Sequence, residues 1–161
     1  MQGFISYTHR DAQHLDRLVT HFKAIERLVP FQFWYDRRRL KGGDHFDQLI
    51  IDAIRDSEVF VLLVSPDFFA SDYIFDKEIP AIAEKSRQTN CPVVPVILKR
   101  CLWEAWLDGL LAVPHVPVLE WVPTDNGFDA ANREVAKNVY SWCKLEPSSF
   151  LTRFFSGNGA L

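Results

Sequence analysis

The sequence predicts an open α/β fold, in which a parallel five-stranded sheet carries helices on both faces. Two observations lead to this fold class. Segments with strand-like and helix-like apolar spacing alternate five times, and the third strand-like segment, residues 59–64, is apolar throughout. Such alternation is typical of parallel sheets, and an unbroken apolar strand is expected where helices cover both faces. The chain of 161 residues, with 48% apolar and 24% charged residues, is most simply one domain with a substantial core.

The individual elements follow from the apolar spacing and from residues that begin or end helices. The predicted strands are residues 3–7, 31–35, 59–64, 92–98 and 116–119. The predicted helices are residues 11–29 with Asp11 as a cap, 44–54 with Asp44 as a cap, one containing Glu78 and ending near Gln88, 102–111, and 129–144. Pro92 and Pro95 cannot donate the backbone hydrogen bonds of a central strand. We therefore place the fourth strand toward an edge or begin its pairing at Val96.

Charge and composition argue against several classes of function. The net charge of −3 gives no support for a nucleic-acid partner. No apolar run approaches the roughly 20 residues that span a bilayer, and the first residues do not resemble a signal peptide. The three cysteines and five histidines show no spacing typical of a metal site, and an odd cysteine count argues against a disulfide framework. We therefore expect a cytoplasmic protein without metal, nucleic-acid or membrane partners.

The topology predicts where a ligand would bind. In open parallel sheets, ligands bind beyond the carboxyl ends of the strands, where the strand order reverses. With the order 2-1-3-4-5, this crevice lies between the first and third strands. Residues 6–10 follow the first strand and residues 65–78 follow the third, so the two segments are expected to converge there.

Glu78, in the second of these segments, has two interpretations. It could be a solvated carboxylate on the outer face of a helix, paired with Lys77 or Lys85. Alternatively, it is held at the crevice between aromatic walls. In that case its neighbours would be Ser71, Tyr73 and Phe75.

Pro80 favours the second interpretation of Glu78. Proline is tolerated in the first turn of a helix but disrupts a helix interior. The helix is therefore expected to begin at residues 77–79, which would leave residues 72–76 irregular and facing the ligand.

A single carboxylate restricts the chemistry of such a site. O-glycoside hydrolysis generally needs two carboxyl groups, because a poor leaving group must be protonated. An N-glycosidic bond to a pyridinium differs, because nicotinamide leaves as a neutral molecule. One carboxylate that stabilises an oxocarbenium-like transition state is then sufficient.

The basic loop at residues 36–43, Asp-Arg-Arg-Arg-Leu-Lys-Gly-Gly, precedes a predicted helix. Arginine side chains and free N–H groups at a helix start both favour an anion such as a pyrophosphate. A solvated basic loop and a protein-docking loop remain alternatives. The sequence contains no Gly-x-Gly-x-x-Gly or Walker motif, which argues against a Rossmann dehydrogenase or a P-loop enzyme.

Four short segments, in this order, make the chain resemble the TIR (Toll/interleukin receptor) domain family, and most of all its bacterial members. They are Phe4-Ile5-Ser6-Tyr7, Trp34-Tyr35-Asp36 ahead of the Gly-Gly loop, Val61-Leu62-Leu63-Val64-Ser65-Pro66, and Ser71-Asp72-Tyr73 ahead of Glu78. The resemblance covers about residues 3–144 and implies a flavodoxin-like fold. We therefore expect a TIR domain at residues 1–145, followed at 146–161 by a C-terminal extension or the start of a linker.

The resemblance also implies an activity. Many bacterial and plant members cleave NAD to nicotinamide and ADP-ribose or a cyclic ADP-ribose isomer, and bacterial members commonly serve antiphage defence. Glu78 matches the catalytic glutamate of the family, and NAD would be a substrate, so that no cofactor is expected. The family often has an aromatic residue four positions before this glutamate, whereas Tyr73 lies five positions before Glu78. The predicted substrate-binding residues are Ser6, Tyr7, Asp36, Arg37, Arg39, Ser71 and Tyr73.

Family members usually become active when they assemble. Residues 36–43 match the family's BB loop, which contacts neighbouring domains, so other TIR domains are expected partners. A sensor domain or a partner that responds to a nucleotide signal is also expected. The alternative is a non-catalytic TIR scaffold that signals through self-association, which would need no acid at the position of Glu78.

Overall fold

A four-stranded parallel sheet forms the centre of the protein in a computed structural model that describes residues 1–36, 44–106 and 125–142. The strands are β1 (Gln2–Ser6), β2 (Gln32–Trp34), β3 (Val59–Val64) and β4 (Val93–Ile97). Their order is β2-β1-β3-β4, and every neighbouring pair is parallel. This confirms the predicted open parallel α/β sheet, and the predicted fifth strand at residues 116–119 lies outside the described residues.

The helices follow the strands in alternation. They are α1 (Ala12–Leu28), α2 (Asp44–Arg55), α3 (Pro66–Phe69), α4 (Ile79–Thr89) and α5 (Asp125–Trp142). A π-helical turn, Ile74–Glu78, leads directly into α4, and short 3-10 turns lie at His9–Asp11 and Trp103–Ala105. The last helix begins earlier than predicted. Of the helix predicted at residues 102–111, the described part contains only the 3-10 turn.

The sheet separates two apolar cores. Odd-numbered side chains of β3 pack with α1 and α5, and even-numbered ones pack with α2, α3, α4 and the π turn. Alternate residues of a strand point to opposite faces, and all six residues of β3 are buried. The prediction that helices cover both faces of the third strand is therefore confirmed.

Pro95 lies within the β4 ladder without breaking it. Among the described strands β4 lies at the edge of the sheet, as the first of the two alternatives has it. Pairing with β3 begins at Val93, so the alternative that it begins at Val96 is wrong. The N–H of Leu98 donates to the Val64 carbonyl of β3. Because backbone groups of successive residues alternate sides along a strand, the nitrogen of Pro95, three residues earlier, faces away from β3. The missing N–H therefore costs no hydrogen bond to β3.

The π turn corrects the expectation that residues 72–76 are irregular. The chain is helical from residue 72 onward, and the N–H of Ile79 donates to the carbonyl of Ile74, five residues back. Pro80 directly follows this turn. Proline has no N–H and clashes with the carbonyl four residues before it. A widened turn accommodates this clash without ending the helix.

Asp11 occupies the N-cap position of α1, as predicted, but its side chain makes no capping hydrogen bond. The carboxylate is instead fully buried. It accepts a hydrogen bond from Ser65 Oγ at 2.5 Å and one from Lys99 Nζ at 3.4 Å. These residues follow β1, β3 and β4, so the carboxylate joins the carboxyl ends of three strands.

Replacing Asp11 with alanine is expected to lower the free energy of unfolding by about 2–4 kcal/mol. The change removes two hydrogen bonds to a charged group and leaves the buried Ser65 hydroxyl without its acceptor. Urea unfolding followed by circular dichroism measures the loss. Asp16→Ala is the control because Asp16 is exposed on the same helix, and equal unfolding free energies for the two variants would contradict the role of Asp11.

Candidate active site

A cavity of about 420 Å³ opens at the carboxyl ends of β1 and β2, beside α2 and the π turn. Its volume falls within the range of about 300–1,000 Å³ that is typical of small-molecule sites. The segments 6–10 and 71–78 meet here, as the topology predicts, although the cavity lies beside β1 and β2 and no residue of β3 lines it. The residues that line the cavity are Phe4, Ile5, Tyr7, Thr8, His9, Arg10, Trp34, Asp36, Ile50, Ser71, Tyr73, Ile74 and Glu78.

Glu78 is the buried acid of this cavity. Its side chain is only 7% exposed, and its Oε2 accepts a hydrogen bond from Ser6 Oγ at 2.5 Å. The nearby acids Asp72 and Asp76 are exposed. The interpretation of Glu78 as a solvated carboxylate is therefore wrong, and of the acids at 72, 76 and 78 Glu78 alone is buried and lines the cavity.

The burial of Glu78 favours the neutral form of its carboxyl group. Burial raises the pKa of Glu78 to about 7, the hydrogen bond from Ser6 opposes this rise, and the negative charge of Asp36 adds to it. A perturbed carboxyl group in a cavity is typical of a functional site. Because an opposite charge favours the ionised form, a cationic ligand beside Glu78 would lower this pKa.

Tyr73 reaches the same cavity as Glu78, although the two are five positions apart. In an α-helix of about 3.6 residues per turn, residues five apart point in widely different directions. The π turn holds about one more residue per turn, so a spacing of five returns to nearly the same face. Burial raises the pKa of Tyr73, and the neighbouring Asp47 raises it further, so its hydroxyl stays protonated.

The other predicted substrate-binding residues differ in whether they line the cavity. Tyr7, Asp36 and Ser71 line the cavity, and the Tyr7 hydroxyl donates to the backbone carbonyl of Asp36. Ser6 is only 1% exposed, donates to Glu78 and does not line the cavity, so its contact with a substrate stays a prediction. Arg37 and Arg39 lie outside the described residues, as does most of the loop 36–43.

The aromatic prediction for Phe75 has a different outcome from the one for Tyr73. Phe75 was expected to form a wall of the site, but it packs edge-on against Trp106, with ring centroids 4.7 Å apart, and does not line the cavity. Trp34 does line the cavity and stacks on Phe4 at 5.3 Å. Trp34 was not predicted as a site residue, and its signals in the sequence were its place near the end of β2 and its part in the TIR-like segment Trp34-Tyr35-Asp36.

His9 and Arg10 were not singled out from the sequence either. Both line the cavity. His9 Nε2 lies 3.9 Å from Asp36 Oδ2, and Arg10 Nη1 donates to Asp67 Oδ1 at 2.7 Å. The segment 6–10 was expected at the crevice, but an isolated histidine or arginine has no spacing pattern that would reveal a role.

Within residues 1–36, 44–106 and 125–142, no cluster of three or more histidine, cysteine, aspartate or glutamate side chains is arranged to hold a metal ion. In the same part of the chain, no helix is both long and apolar enough to cross a membrane.

Comparison with known proteins identifies the family. The profile of the TIR domain matches residues 4–136. The chain belongs to the TIR domain family. A metazoan TIR-STING receptor from C. gigas has a similar structure, with a TM-score of 0.52 and 16% identity over 89% of this chain and 40% of that one. A likeness at this level of identity supports the fold of the TIR domain.

Two curated relatives are similar in sequence to this TIR domain. "Uncharacterized protein y4lF" of Sinorhizobium fredii is 33% identical over 151 residues, which cover 90% of this chain and 46% of that protein. "NAD(+) hydrolase sarm1" of Drosophila melanogaster is 25% identical over 130 residues, which cover 74% of this chain and 9% of that protein. The chain thus spans less than half the length of either relative.

Proposed function

We propose that this TIR domain is an NAD nucleosidase that releases nicotinamide and forms ADP-ribose or a cyclic ADP-ribose isomer. The observation that carries the proposal is the buried carboxyl group of Glu78 in the wall of a cavity of about 420 Å³. The match to the NAD(+) hydrolase of Drosophila is consistent with this substrate. NAD is the substrate, and the proposal needs neither a cofactor nor a metal.

The proposed reaction breaks one bond and forms one. The bond between C1′ of the ribose and the pyridinium nitrogen breaks, and its electron pair leaves with nicotinamide, which becomes neutral. The resulting oxocarbenium-like carbon accepts an electron pair from water or from a nucleophile within the ADP-ribose, and one proton is released to solvent. The ionised carboxylate of Glu78 stabilises the positive charge that develops at C1′.

The charge of NAD fits the titration of Glu78. Burial raises the pKa of this residue to about 7. The pyridinium ring of NAD brings a positive charge next to the carboxyl group, and an opposite charge favours the ionised form. Substrate binding would therefore create the anion that the reaction requires.

The remainder of the cavity provides surfaces for the other parts of NAD. Trp34 and Tyr73 offer aromatic faces for a planar ring, and Arg10 lines the cavity with a cationic group. We propose that Arg37 and Arg39 of the loop 36–43 bind the pyrophosphate.

We further propose that the domain acts in the cytoplasm, is activated by self-association through the loop 36–43, and serves antiphage defence. Membership of the TIR domain family supports self-association. A sensor domain, or a partner that responds to a nucleotide signal, would control the assembly.

The proposal predicts that the rate of nicotinamide release per protomer increases with protein concentration. Self-association would complete the pocket, so a concentrated sample should be more active per molecule than a dilute one. Chromatography of NAD incubations at several protein concentrations measures nicotinamide, ADP-ribose and cyclic products. A constant rate per protomer would contradict activation by assembly, and NAD that stays intact at every concentration would favour the scaffold alternative.

A further inference from the structure

The hydrogen bond between Ser6 and Glu78 joins two buried side chains from distant parts of the chain. Ser6 is 1% exposed and Glu78 is 7% exposed. Ser6 Oγ donates to Glu78 Oε2 at 2.5 Å, across 72 positions of the sequence. Ser6 is the last residue of β1, in the middle of the sheet, so its hydroxyl is held by a rigid element.

This bond distinguishes the two oxygens of the carboxylate. Oε2 is bonded to Ser6, which does not line the cavity, whereas Glu78 does. Oε1 is therefore the oxygen that remains for a ligand. Glu78 ends the π turn, so the bond also fixes the rotamer of a side chain that follows an unusual helical turn.

We propose that Ser6 is a positioning residue that donates its hydroxyl hydrogen to Oε2 of Glu78, so that Oε1 is directed at the ligand and the ionised form of the carboxyl group is favoured over what burial alone would allow. The role of this pair in turnover rests on the proposed NAD nucleosidase activity. The effect of Ser6 on Glu78 itself does not depend on that activity.

The charged and titratable groups near Glu78 show why this hydroxyl matters. Asp36, at the end of β2, raises the pKa of Glu78, whereas the Ser6 hydroxyl lowers it. The phenol of Tyr73, one turn earlier, lies beside Asp47 of α2. On the β1 side, His9 lies near Asp36 and Arg10 is paired with Asp67. The hydroxyl of Ser6 thus opposes both burial and a neighbouring negative charge.

The test compares the unmodified protein with Ser6→Ala, Ser6→Thr and Ser57→Ala. Ser57 is the matched control because it is a fully buried serine whose hydroxyl donates to the Ala53 carbonyl. Carbon-13 NMR of glutamate carboxyl groups follows the titration in the absence of NAD, and the Glu78 signal is identified by its loss in Glu78→Gln. Thermal unfolding checks that each variant folds.

The midpoint of the Glu78 titration is expected to rise by about one pH unit or more in Ser6→Ala. It should return toward the original value in Ser6→Thr, which keeps a hydroxyl, and stay unchanged in Ser57→Ala. In the NAD assay, the acidic limb of the kcat/KM profile of Ser6→Ala, which reports the free protein, should move to higher pH by a similar amount. Its kcat/KM at pH 7 should fall about fivefold, because the ionised fraction of Glu78 falls from about one half to about one tenth.

A Glu78 titration that is the same in Ser6→Ala and in the unmodified protein would overturn the proposal. An equal shift in Ser57→Ala would overturn it as well, because the effect would then be a general consequence of losing a buried hydroxyl. If the unmodified protein releases no nicotinamide, the proposed function fails, while the NMR titration still decides the role of Ser6.

Discussion

Replacing Glu78 with glutamine is expected to reduce nicotinamide release about 10³-fold or more. Glutamine preserves the shape of the side chain, and its amide oxygen can still accept a hydrogen bond from Ser6, so the cavity should keep its form. What disappears is the negative charge that stabilises the cation developing at C1′. Chromatographic assay of nicotinamide from equal concentrations of both proteins measures the effect.

Asp76→Asn is the matched control for this experiment. Asp76 lies two residues before Glu78 in the same π turn, but it is exposed and does not line the cavity. The same chemical change at this position should leave the rate close to that of the unmodified protein. A similar loss in both variants would show that the acidic cluster acts collectively, and full activity of Glu78→Gln would remove Glu78 from the reaction.

Replacing Glu78 with glutamine is also expected to make the protein more stable at pH 8, by about 3 kcal/mol. Burial raises the pKa of Glu78 from its ordinary value of 4.5 to about 7. Between these two pH values, the folded protein keeps a proton that the unfolded chain has lost. The contribution of Glu78 to the free energy of unfolding therefore falls as the pH rises from 4.5 through 7, and this contribution becomes level above that range. Glutamine has no proton to lose and avoids this penalty.

Urea unfolding at pH 5, 6, 7 and 8 measures this effect. The difference between Glu78→Gln and the unmodified protein should be small at pH 5 and should grow to its full size by pH 8. Asp76→Asn should follow the unmodified protein across the series, because its side chain is exposed. A stability difference that does not change with pH would contradict the burial of an ionisable carboxyl group at position 78.

The fold was predictable from the sequence because the strands carry strong local signals. The apolar run of β3 and the helical spacing of α1 needed no knowledge of distant residues. Pro95 was misleading, since its effect depends on which side of β4 faces β3, and single-residue propensities do not contain that information.

Part of the candidate site was also predictable. Topology placed residues 6–10 and the segment that contains Glu78 at one crevice, and the family resemblance distinguished Glu78 from Asp72 and Asp76. The π turn was not predicted, because a turn with one additional residue has no simple apolar signature. Its two traces in the sequence were Pro80 and the spacing of five between Tyr73 and Glu78, and they are explained by the same turn.

The buried polar pairs were beyond sequence reasoning. Ser6 with Glu78, and Asp11 with Ser65, are separated by 72 and 54 positions. Each residue alone resembles an ordinary capping or surface group. Their hydrogen bonds arise because parallel strands bring their carboxyl ends together, and only the assembled sheet shows which donor meets which acceptor.

The most direct test of the central claim identifies the products of NAD in a concentrated sample of the protein and in Glu78→Gln. We expect the unmodified protein to yield nicotinamide together with an equal amount of ADP-ribose or its cyclic isomer, and the variant to leave NAD intact. Nicotinamide release at the same rate from both proteins, or cleavage at the pyrophosphate instead, would contradict the assignment of Glu78 to the N-glycosidic bond.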